Sequence, residues 1–220
     1  ILMKELYGIA DIVVVNSRFE EKTLMDVSPE LNIKFIPHGI NTQNLRSSGM
    51  IPSDNSDHYG IACVAKDIPS IDFPALIKSW GIVAKTNKDA AFGIFTNPVH
   101  TTQWNLPDML EVYGISKNTF IQLKPEENFG FNTMGDLYSS IDLIVLPHQE
   151  DMLNTIVPEA AYCGLPMITA NGGATEEYIP GTATILEKTD VFVAPPLNTR
   201  YKVFDSYEMA EKIIFEIGRG

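Results

Sequence analysis

The stretch that decides the fold is Leu143 to Ile179, which reads LIVLPHQEDMLNTIVPEAAYCGLPMITANGGATEEYI. An apolar run, a polar loop, a helix-forming segment, a Gly-Leu-Pro stop, a second apolar run and a Gly-rich loop follow one another along it. This order is typical of a β-α-β unit with parallel strands. Both loops then leave the carboxyl ends of strands, where ligands bind in open α/β sheets. The stretch therefore predicts a ligand-binding edge.

The helix inside this stretch has predicted ends. Pro158 lacks an N–H and fits only the first helical turn, so the helix begins near Asn154 or Thr155. Gly164 suits the left-handed position after the last turn, and Pro166 prevents continuation. We expect free amides at the helix start to face the sheet edge, where they and the helix dipole favour a diphosphate.

Two carboxylates belong to the same region. Asp151 lies in the loop before the helix, and Glu159 lies just inside the helix, eight positions later. Ionised carboxylates are strong acceptors for sugar hydroxyls, so we interpret them as ligands of a transferred hexose and of a ribose. Alternatively, Glu159 is an ordinary carboxylate at a helix N-terminus, and Asp151 is a plain loop acid or an N-cap. Glu150 serves in place of Asp151 if the loop is shifted.

Outward from this stretch, short apolar runs alternate with segments of helical periodicity, which predicts an α/β fold around a parallel sheet. The predicted strands are Asp11 to Asn16, Ile33 to Pro37, Tyr59 to Ala65, Ala90 to Thr96, Thr119 to Leu123, Leu143 to Pro147 and Met167 to Ala170. Further helices are predicted from Ser17 to about Met25, along the apolar positions Phe73, Leu76, Ile77, Trp80 and Val83, from Leu106 to Tyr113, from Met134 to Ser140, from Ala174 to Ile179 and from Ser206 to Ile217.

The composition restricts the function classes. The 220 residues carry a formal net charge of −12, from 28 acidic and 16 basic side chains, without a local basic patch. Such a chain repels nucleic-acid backbones and anionic lipid surfaces. No apolar run reaches the roughly 20 residues of a transmembrane helix, and the first residues lack a signal-peptide pattern. We therefore expect a cytoplasmic protein that binds neither nucleic acid nor membranes.

The cysteines and histidines indicate no metal site. Cys63 and Cys163 lie in apolar segments without a partner at metal-ligand spacing, which favours buried, reduced thiols and a reducing compartment. His38 and His148 lie at strand ends and are interpreted as structural histidines. We predict no bound metal, because no group of candidate ligands has the required spacing.

The order of residues from Asp151 to Ile168 then shows a family resemblance. An acidic residue, seven residues, Glu, and Ala-x-x-x-Gly-x-Pro-x-Ile resemble the donor-site signature of retaining GT-B glycosyltransferases, the superfamily of glycogen synthase and sucrose synthase. Other segments fit in the same order. ADIVVVNSR at 10–18 is similar to the last strand and helix of the family's N-terminal domain, IPHGIN at 36–41 to the crossing between domains, 63–74 to the first donor-domain loop, and GDLYSSIDLIVLP at 135–147 to the approach to the acidic motif.

This resemblance implies a Rossmann-like parallel sheet with helices on both faces. Residues 1–41 would end an N-terminal acceptor-side domain, 42–57 would be a linker or loop, and 58–220 would form the nucleotide-sugar donor domain. The implied reaction transfers a hexosyl unit from a UDP- or GDP-sugar to a carbohydrate hydroxyl with retention, without a further cofactor. Because the chain starts without Met, we expect most of the acceptor domain to precede residue 1 and the isolated chain to bind donor weakly without transfer.

The resemblance also implies site residues. Asp151, Glu159 and Lys66 are the expected catalytic residues. The expected donor contacts are these three with Met152, Leu153, Asn154, Thr155, Gln122 and Lys124, the base being held largely by backbone near Gln122 to Lys124. Gly172 and Gly173 are turn glycines or let amides approach the sugar, and Glu177 is expected to cap or pair locally.

The sequence departs from the family pattern in two places. The family has an Arg after the first donor-domain strand and a Lys five residues later, where this chain has Lys66 and Ile71, so one expected cation is missing. Met152 and Asn154 stand where glycines are common. Two alternatives therefore stay open: a noncatalytic nucleotide-sugar-binding or assembly module, and a nucleotide-sugar epimerase of the same general fold.

Overall fold

The computed structural model describes residues 7–46, 58–66, 70–97, 104–115, 119–122, 131–149, 153–194 and 199–219. The strands are β1 (Val13–Val15), β2 (Ile33–Phe35), β3 (Tyr59–Lys66), β4 (Ala90–Asn97), β5 (Thr119–Gln122), β6 (Leu143–Leu146), β7 (Met167–Ala170), β8 (Thr184–Leu186), β9 (Lys188–Ala194) and β10 (Thr199–Phe204). The helices are α1 (Arg18–Val27), α2 (Phe73–Thr86), α3 (Leu106–Val112), α4 (Met134–Ser139), α5 (Ile156–Tyr162), a 3₁₀ helix (Gly173–Tyr178) and α6 (Ser206–Ile217). None of the described helices is long and apolar enough to span a bilayer.

Six strands form one parallel sheet in the order β5-β4-β3-β6-β7-β8. Helices cover both faces, so the predicted Rossmann-like α/β fold is confirmed. Two apolar clusters fill the space between sheet and helices. One lies under α2 and α6 and includes Trp80, Phe92 and Ile213, and the other lies under α4 and α5 and includes Leu137 and Val157.

The long helices begin where sequence periodicity and capping side chains agree. Asp72 caps α2 by accepting a hydrogen bond from the Ala75 N–H, and Pro74 occupies the first turn. Asp205 caps α6 by accepting from the N–H groups of Tyr207 and Glu208. The apolar positions predicted for α2 are all buried. The two helices pack together on one face of the sheet.

The N-terminal segment forms a smaller unit. β1 and β2 pair in parallel, and Ser17 caps α1 by accepting from the Glu20 N–H. The Glu20 carboxylate accepts from the Asn16 N–H rather than from the N-cap residue itself, which is a small departure from the predicted capping box.

This segment contacts the larger unit through specific bonds. Glu177 accepts hydrogen bonds from the N–H groups of Arg18 and Phe19, at 2.9 and 2.8 Å. The expectation of a local role for Glu177 is therefore wrong, because its carboxylate caps a helix remote in sequence. The Tyr178 hydroxyl donates to the Asn16 carbonyl, 2.8 Å away.

The turn after this segment packs closely on α4. Leu45 is 5% exposed and belongs to the apolar cluster under α4 and α5. A Cβ on Gly135 would lie 2.3 Å from the Leu45 carbonyl oxygen, so only glycine permits this approach. The boundaries predicted at 41 and 57 stay predictions.

A β-hairpin between β8 and α6 was not predicted. β9 and β10 pair antiparallel, with an irregularity between Val203 and Phe204. The strands alternate in polarity but are separated by Pro195 and Pro196, which on the sequence alone indicate a loop.

Candidate functional site

The sheet order creates a crevice at one position. β3 is the first strand of the six-stranded sheet in sequence, and it lies between β4 on one side and β6 on the other. The connection after β3 leads to β4 on one side, and the connection after β6 leads to β7 on the other side. The two loops therefore diverge from the adjacent ends of β3 and β6. In open parallel sheets this topological switch point is where ligands bind, outside the carboxyl ends of the strands.

The loops after β3 and β6 are joined by backbone hydrogen bonds. Gln149 donates its N–H to the Ser70 carbonyl (2.7 Å), and Asp72 donates to the Pro147 carbonyl (3.0 Å). Between them, Ile71 and His148 form an isolated antiparallel bridge. Ile71 is buried in the apolar cluster under α2, so this position presents no charge to the crevice.

The start of α5 has the predicted position but not the predicted free amides. The helix begins at Ile156 after Thr155, with Pro158 in its first turn. Asn154 donates its N–H to the Thr175 hydroxyl (2.9 Å), the Ile156 N–H donates to the Asn154 side-chain oxygen (3.1 Å), and the Val157 N–H donates to the Asn154 carbonyl (3.2 Å). The expectation of free amides for a diphosphate is therefore wrong for Asn154, Ile156 and Val157, because the Thr175 hydroxyl and the two oxygens of Asn154 already accept from them.

Glu159 is the described carboxylate of the candidate site. The Tyr138 hydroxyl donates to its Oε2 at 2.8 Å, and among the described residues Oε1 has no hydrogen-bond partner. Burial raises the pKa of Glu159, while the Tyr138 hydrogen bond and the nearby His38 lower it. The carboxylate is thus half-buried. The hydrogen bond from Tyr138 to Oε2 fixes its orientation and leaves Oε1 to accept a hydrogen bond from a ligand hydroxyl.

Tyr138 and Cys163 lie close to this carboxylate. Burial and the charge of Glu159 raise the pKa of the fully buried Tyr138, which keeps its hydroxyl protonated as a donor. Burial and Glu159 also raise the pKa of the half-buried Cys163. Burial raises the pKa of Cys63 to about 12. Both thiols are free, and Cys63 is buried as predicted, whereas Cys163 is only partly buried.

The turn after β7 has the geometry predicted for its glycines. Gly172 and Gly173 have φ values of 116° and 62°, which side-chain-bearing residues rarely adopt. The carbonyl before them, of Asn171, accepts a hydrogen bond from the Lys202 ammonium. The following 3₁₀ helix carries Thr175, which binds the start of α5.

Only part of the predicted site can be located. Leu153, Asn154, Thr155 and Glu159 are described and lie along the loop and first turn of α5. Glu150, Asp151, Met152 and Lys124 lie outside the described residues. Lys66 and Gln122 end β3 and β5, at the carboxyl edge, but their side chains are likewise outside the description. The roles assigned to all these residues stay predictions.

Sequence reasoning missed three contributors to this edge: Tyr138, Gln149 and Lys202. Tyr138 belongs to a segment that the family resemblance covers, but its hydroxyl contact depends on how α4 packs against α5. Gln149 and Lys202 meet because β10 returns over the sheet edge, which no local pattern signals. Among the described residues, no group of three or more His, Cys, Asp or Glu is arranged to hold a metal ion.

Comparisons with known proteins address the fold. No protein-family model matches the sequence, and no curated protein matches it significantly. Among solved structures, HepE of Anabaena in complex with UDP and glucose has a TM-score of 0.73 at 16% identity, over 98% of this chain and 56% of HepE. Sucrose-phosphate synthase of Thermosynechococcus elongatus has a TM-score of 0.77 at 15% identity, over 99% of this chain and 51% of that enzyme.

A third match is to a single domain. The C-terminal domain of the glycosyl transferase group 1 family protein LpcC of Francisella tularensis has a TM-score of 0.63 at 15% identity, over 82% of this chain and 88% of that domain. This chain spans about half the length of the first two structures. At these identities the similarity establishes architecture alone, and the chain has the Rossmann-like fold of the GT-B glycosyltransferases.

Proposed function

We propose that the chain is the donor-binding part of a retaining glycosyltransferase, which transfers a hexosyl unit from a UDP- or GDP-sugar to a hydroxyl of a carbohydrate acceptor. The observation that carries the proposal is the half-buried carboxylate of Glu159 at the switch-point edge, in a fold whose solved relatives include a UDP complex. The acceptor side would come from an N-terminal domain, and the protein would act in the cytoplasm without a further cofactor.

The roles follow from the chemistry of the transfer. The bond between the sugar's anomeric carbon and the diphosphate oxygen breaks, and a bond to the acceptor oxygen forms. Glu159 accepts a hydrogen bond from a ribose hydroxyl, and Asp151 accepts one from the transferred hexose. Lys66 neutralises charge on the departing diphosphate, which lowers the barrier. The loop of Met152 to Thr155 approaches the donor, and the backbone near Gln122 and Lys124 holds the base.

Binding without transfer is the second candidate function. It is favoured by Ile71, which is buried and apolar at a position beside the crevice. Loss of one donor that stabilises the leaving group costs roughly 3 to 4 kcal/mol of barrier. A chain with weaker stabilisation of the leaving group would still recognise the nucleotide sugar while turning it over slowly or not at all.

Calorimetric titration with UDP and GDP tests the donor site. The wild-type chain is expected to bind one of them saturably, and Glu159→Gln is expected to bind about tenfold more weakly because an ionised acceptor is lost. Glu111→Gln, which changes an exposed carboxylate on α3, is the matched control and should bind like wild type. A wild-type chain that binds neither diphosphate contradicts the proposal.

Turnover separates the two candidates. Release or transfer of sugar from UDP- and GDP-hexoses is measured with the longest polypeptide that carries this chain. Sugar release that depends on Glu159 supports the transferase. Saturable binding without release supports the binding module.

A further inference from the structure

Lys202 brings a buried positive charge to the carboxyl edge of the six-stranded sheet. It is 8% exposed, and among the lysines and arginines whose side chains the structure describes it is the one that is buried. Its ammonium nitrogen lies 2.7 Å from the carbonyl oxygen of Asn171. Asn171 directly follows β7 and precedes Gly172 and Gly173. The ammonium group therefore lies against the Gly-rich turn of the candidate site.

The backbone of β10 fixes this position. The Lys202 N–H donates to the Gln149 carbonyl (3.0 Å), and the Gln149 side-chain amide donates to the Lys202 carbonyl (2.6 Å). Two residues later, the Phe204 N–H donates to the carboxylate of Asp72 (3.4 Å). Gln149 also binds Ser70 in the loop after β3. The loops after β3, β6 and β7 thus meet at the second strand of the hairpin, with Lys202 at their junction.

A diphosphate at this junction would need cationic partners. Its negative charge grows as the bond to the sugar breaks, and an ammonium group shielded from water interacts with such charge more strongly than an exposed one. Ile71 supplies no charge beside the crevice. We propose that Lys202, carried by the β9–β10 hairpin, contacts the diphosphate of the nucleotide-sugar donor and neutralises its charge. This inference rests on the proposed function.

The test compares diphosphate with nucleoside binding. UDP and GDP, and the matching nucleosides, are titrated into wild type, Lys202→Gln, Lys202→Met and Lys188→Met. Lys202→Gln is expected to bind the diphosphate about tenfold more weakly while nucleoside affinity stays unchanged, as for one lost charge-assisted contact. Lys188→Met removes an exposed charge from the same hairpin and should bind like wild type.

Lys202→Gln removes the charge but keeps an N–H donor on the side chain, whereas Lys202→Met removes both. Wild-type diphosphate affinity in Lys202→Gln, with weaker binding only in Lys202→Met, would mean that Lys202 merely supports the turn and overturns the inference. Equal weakening of nucleoside and diphosphate would also overturn it. Wild type that binds neither UDP nor GDP overturns the proposed function, and this inference with it.

Thermal midpoints show whether each variant folds. If the Lys202 variants do not fold, a measurement on the wild-type chain tests the same contact. In protein labelled with ¹⁵N-lysine, the side-chain signal of Lys202, assigned with Lys202→Arg, is expected to shift with UDP or GDP and not with the matching nucleoside. An unchanged signal at saturating diphosphate would contradict the contact directly.

Discussion

Tyr138 and Glu159 form a hydrogen-bonded pair in which each side chain affects the pKa of the other. Tyr138 is 2% exposed, and its hydroxyl donates to Glu159 Oε2. Burial keeps that hydroxyl protonated, and the hydrogen bond in turn favours the ionised form of Glu159 against the effect of its own burial. The ionised carboxylate is the form that accepts a hydrogen bond from a sugar hydroxyl.

Tyr138→Phe is expected to make donor binding more sensitive to acid. Burial already holds the pKa of Glu159 above its ordinary value, and loss of the hydrogen bond raises it further. Glu159 then takes up a proton at a higher pH, so UDP or GDP affinity begins to fall at a higher pH as the solution is acidified. Dissociation constants measured from pH 8 down to pH 5 test this.

Glu159→Gln is the reference for that experiment, because its side chain does not titrate. The diphosphate's own ionisation contributes equally to all three proteins. Superimposable profiles for wild type and Tyr138→Phe would show that Tyr138 does not control the protonation of Glu159.

In the described part of the candidate site, the backbone was more predictable than the hydrogen bonds. The Pro158 rule placed the start of α5 correctly, and Gly164 has the predicted left-handed conformation, with a φ of 72°. Those are local constraints of the backbone. The occupied amides at 154 and 156 involve the Asn154 side chain and a threonine of the 3₁₀ helix, Thr175. Such partners depend on tertiary packing, which residue type and spacing do not specify.

At the scale of elements, the N-terminus of α1 depends on a residue outside its own segment. Glu177 in the 3₁₀ helix accepts hydrogen bonds from the N–H groups of Arg18 and Phe19. The first N–H groups of a helix have no partners within it, and a carboxylate also suits the positive end of the helix dipole. α1 and the 3₁₀ helix are therefore coupled in stability.

Glu177→Ala is expected to lower the free energy of unfolding by about 1 kcal/mol, the usual effect of losing an N-terminal cap. Urea unfolding followed by circular dichroism measures the change. Glu176→Ala removes the neighbouring exposed carboxylate and should stay within about 0.5 kcal/mol of wild type. Equal stabilities of Glu177→Ala and Glu176→Ala would mean that the two bonds contribute nothing net.

Elements with strong periodicity were predicted most accurately. α6 has the predicted bounds, Ser206–Ile217, and β7 has the predicted bounds, Met167–Ala170. α6 has one buried apolar face, and β7 is a short buried run. Each is followed by a clear stop signal. The β9–β10 hairpin was missed although its strands alternate, because Pro195 and Pro196 between them favour an irregular loop. The hairpin is also held to the loop after β6 by two hydrogen bonds between Lys202 and Gln149, which the sequence does not reveal.

At the scale of the whole molecule, the repeated strand and helix pattern was sufficient to predict the fold class. Each apolar run in the predicted order became a strand of one of the parallel sheets. The pattern does not predict the order of strands within the sheet, because that order depends on the side of β3 to which each crossover connection leads. Neither the periodicity nor the spacing of motifs specified the strand order, and the reversal at β3 is seen only in the structure.

The central place of β3 has a consequence for how the protein folds. β3 pairs with β4 nearby in the chain but with β6 only across a long intervening segment, through Ile61 to Leu143 and Ala62 to Ile144. Pairings between distant segments form slowly, because the entropy cost of closing a large loop comes before the favourable contacts form. The crevice lies at this same pairing, so it cannot exist until one of the slowest contacts has formed.

Refolding is therefore expected to restore helical circular dichroism earlier than the ability to bind UDP or GDP. Stopped-flow dilution from urea, with one channel following ellipticity and the other a fluorescent nucleotide, measures the two times. Simultaneous recovery would contradict a late β3–β6 pairing. If the lag is observed, newly made chains pass through a stage in which most of the secondary structure is present and the binding edge is not yet assembled.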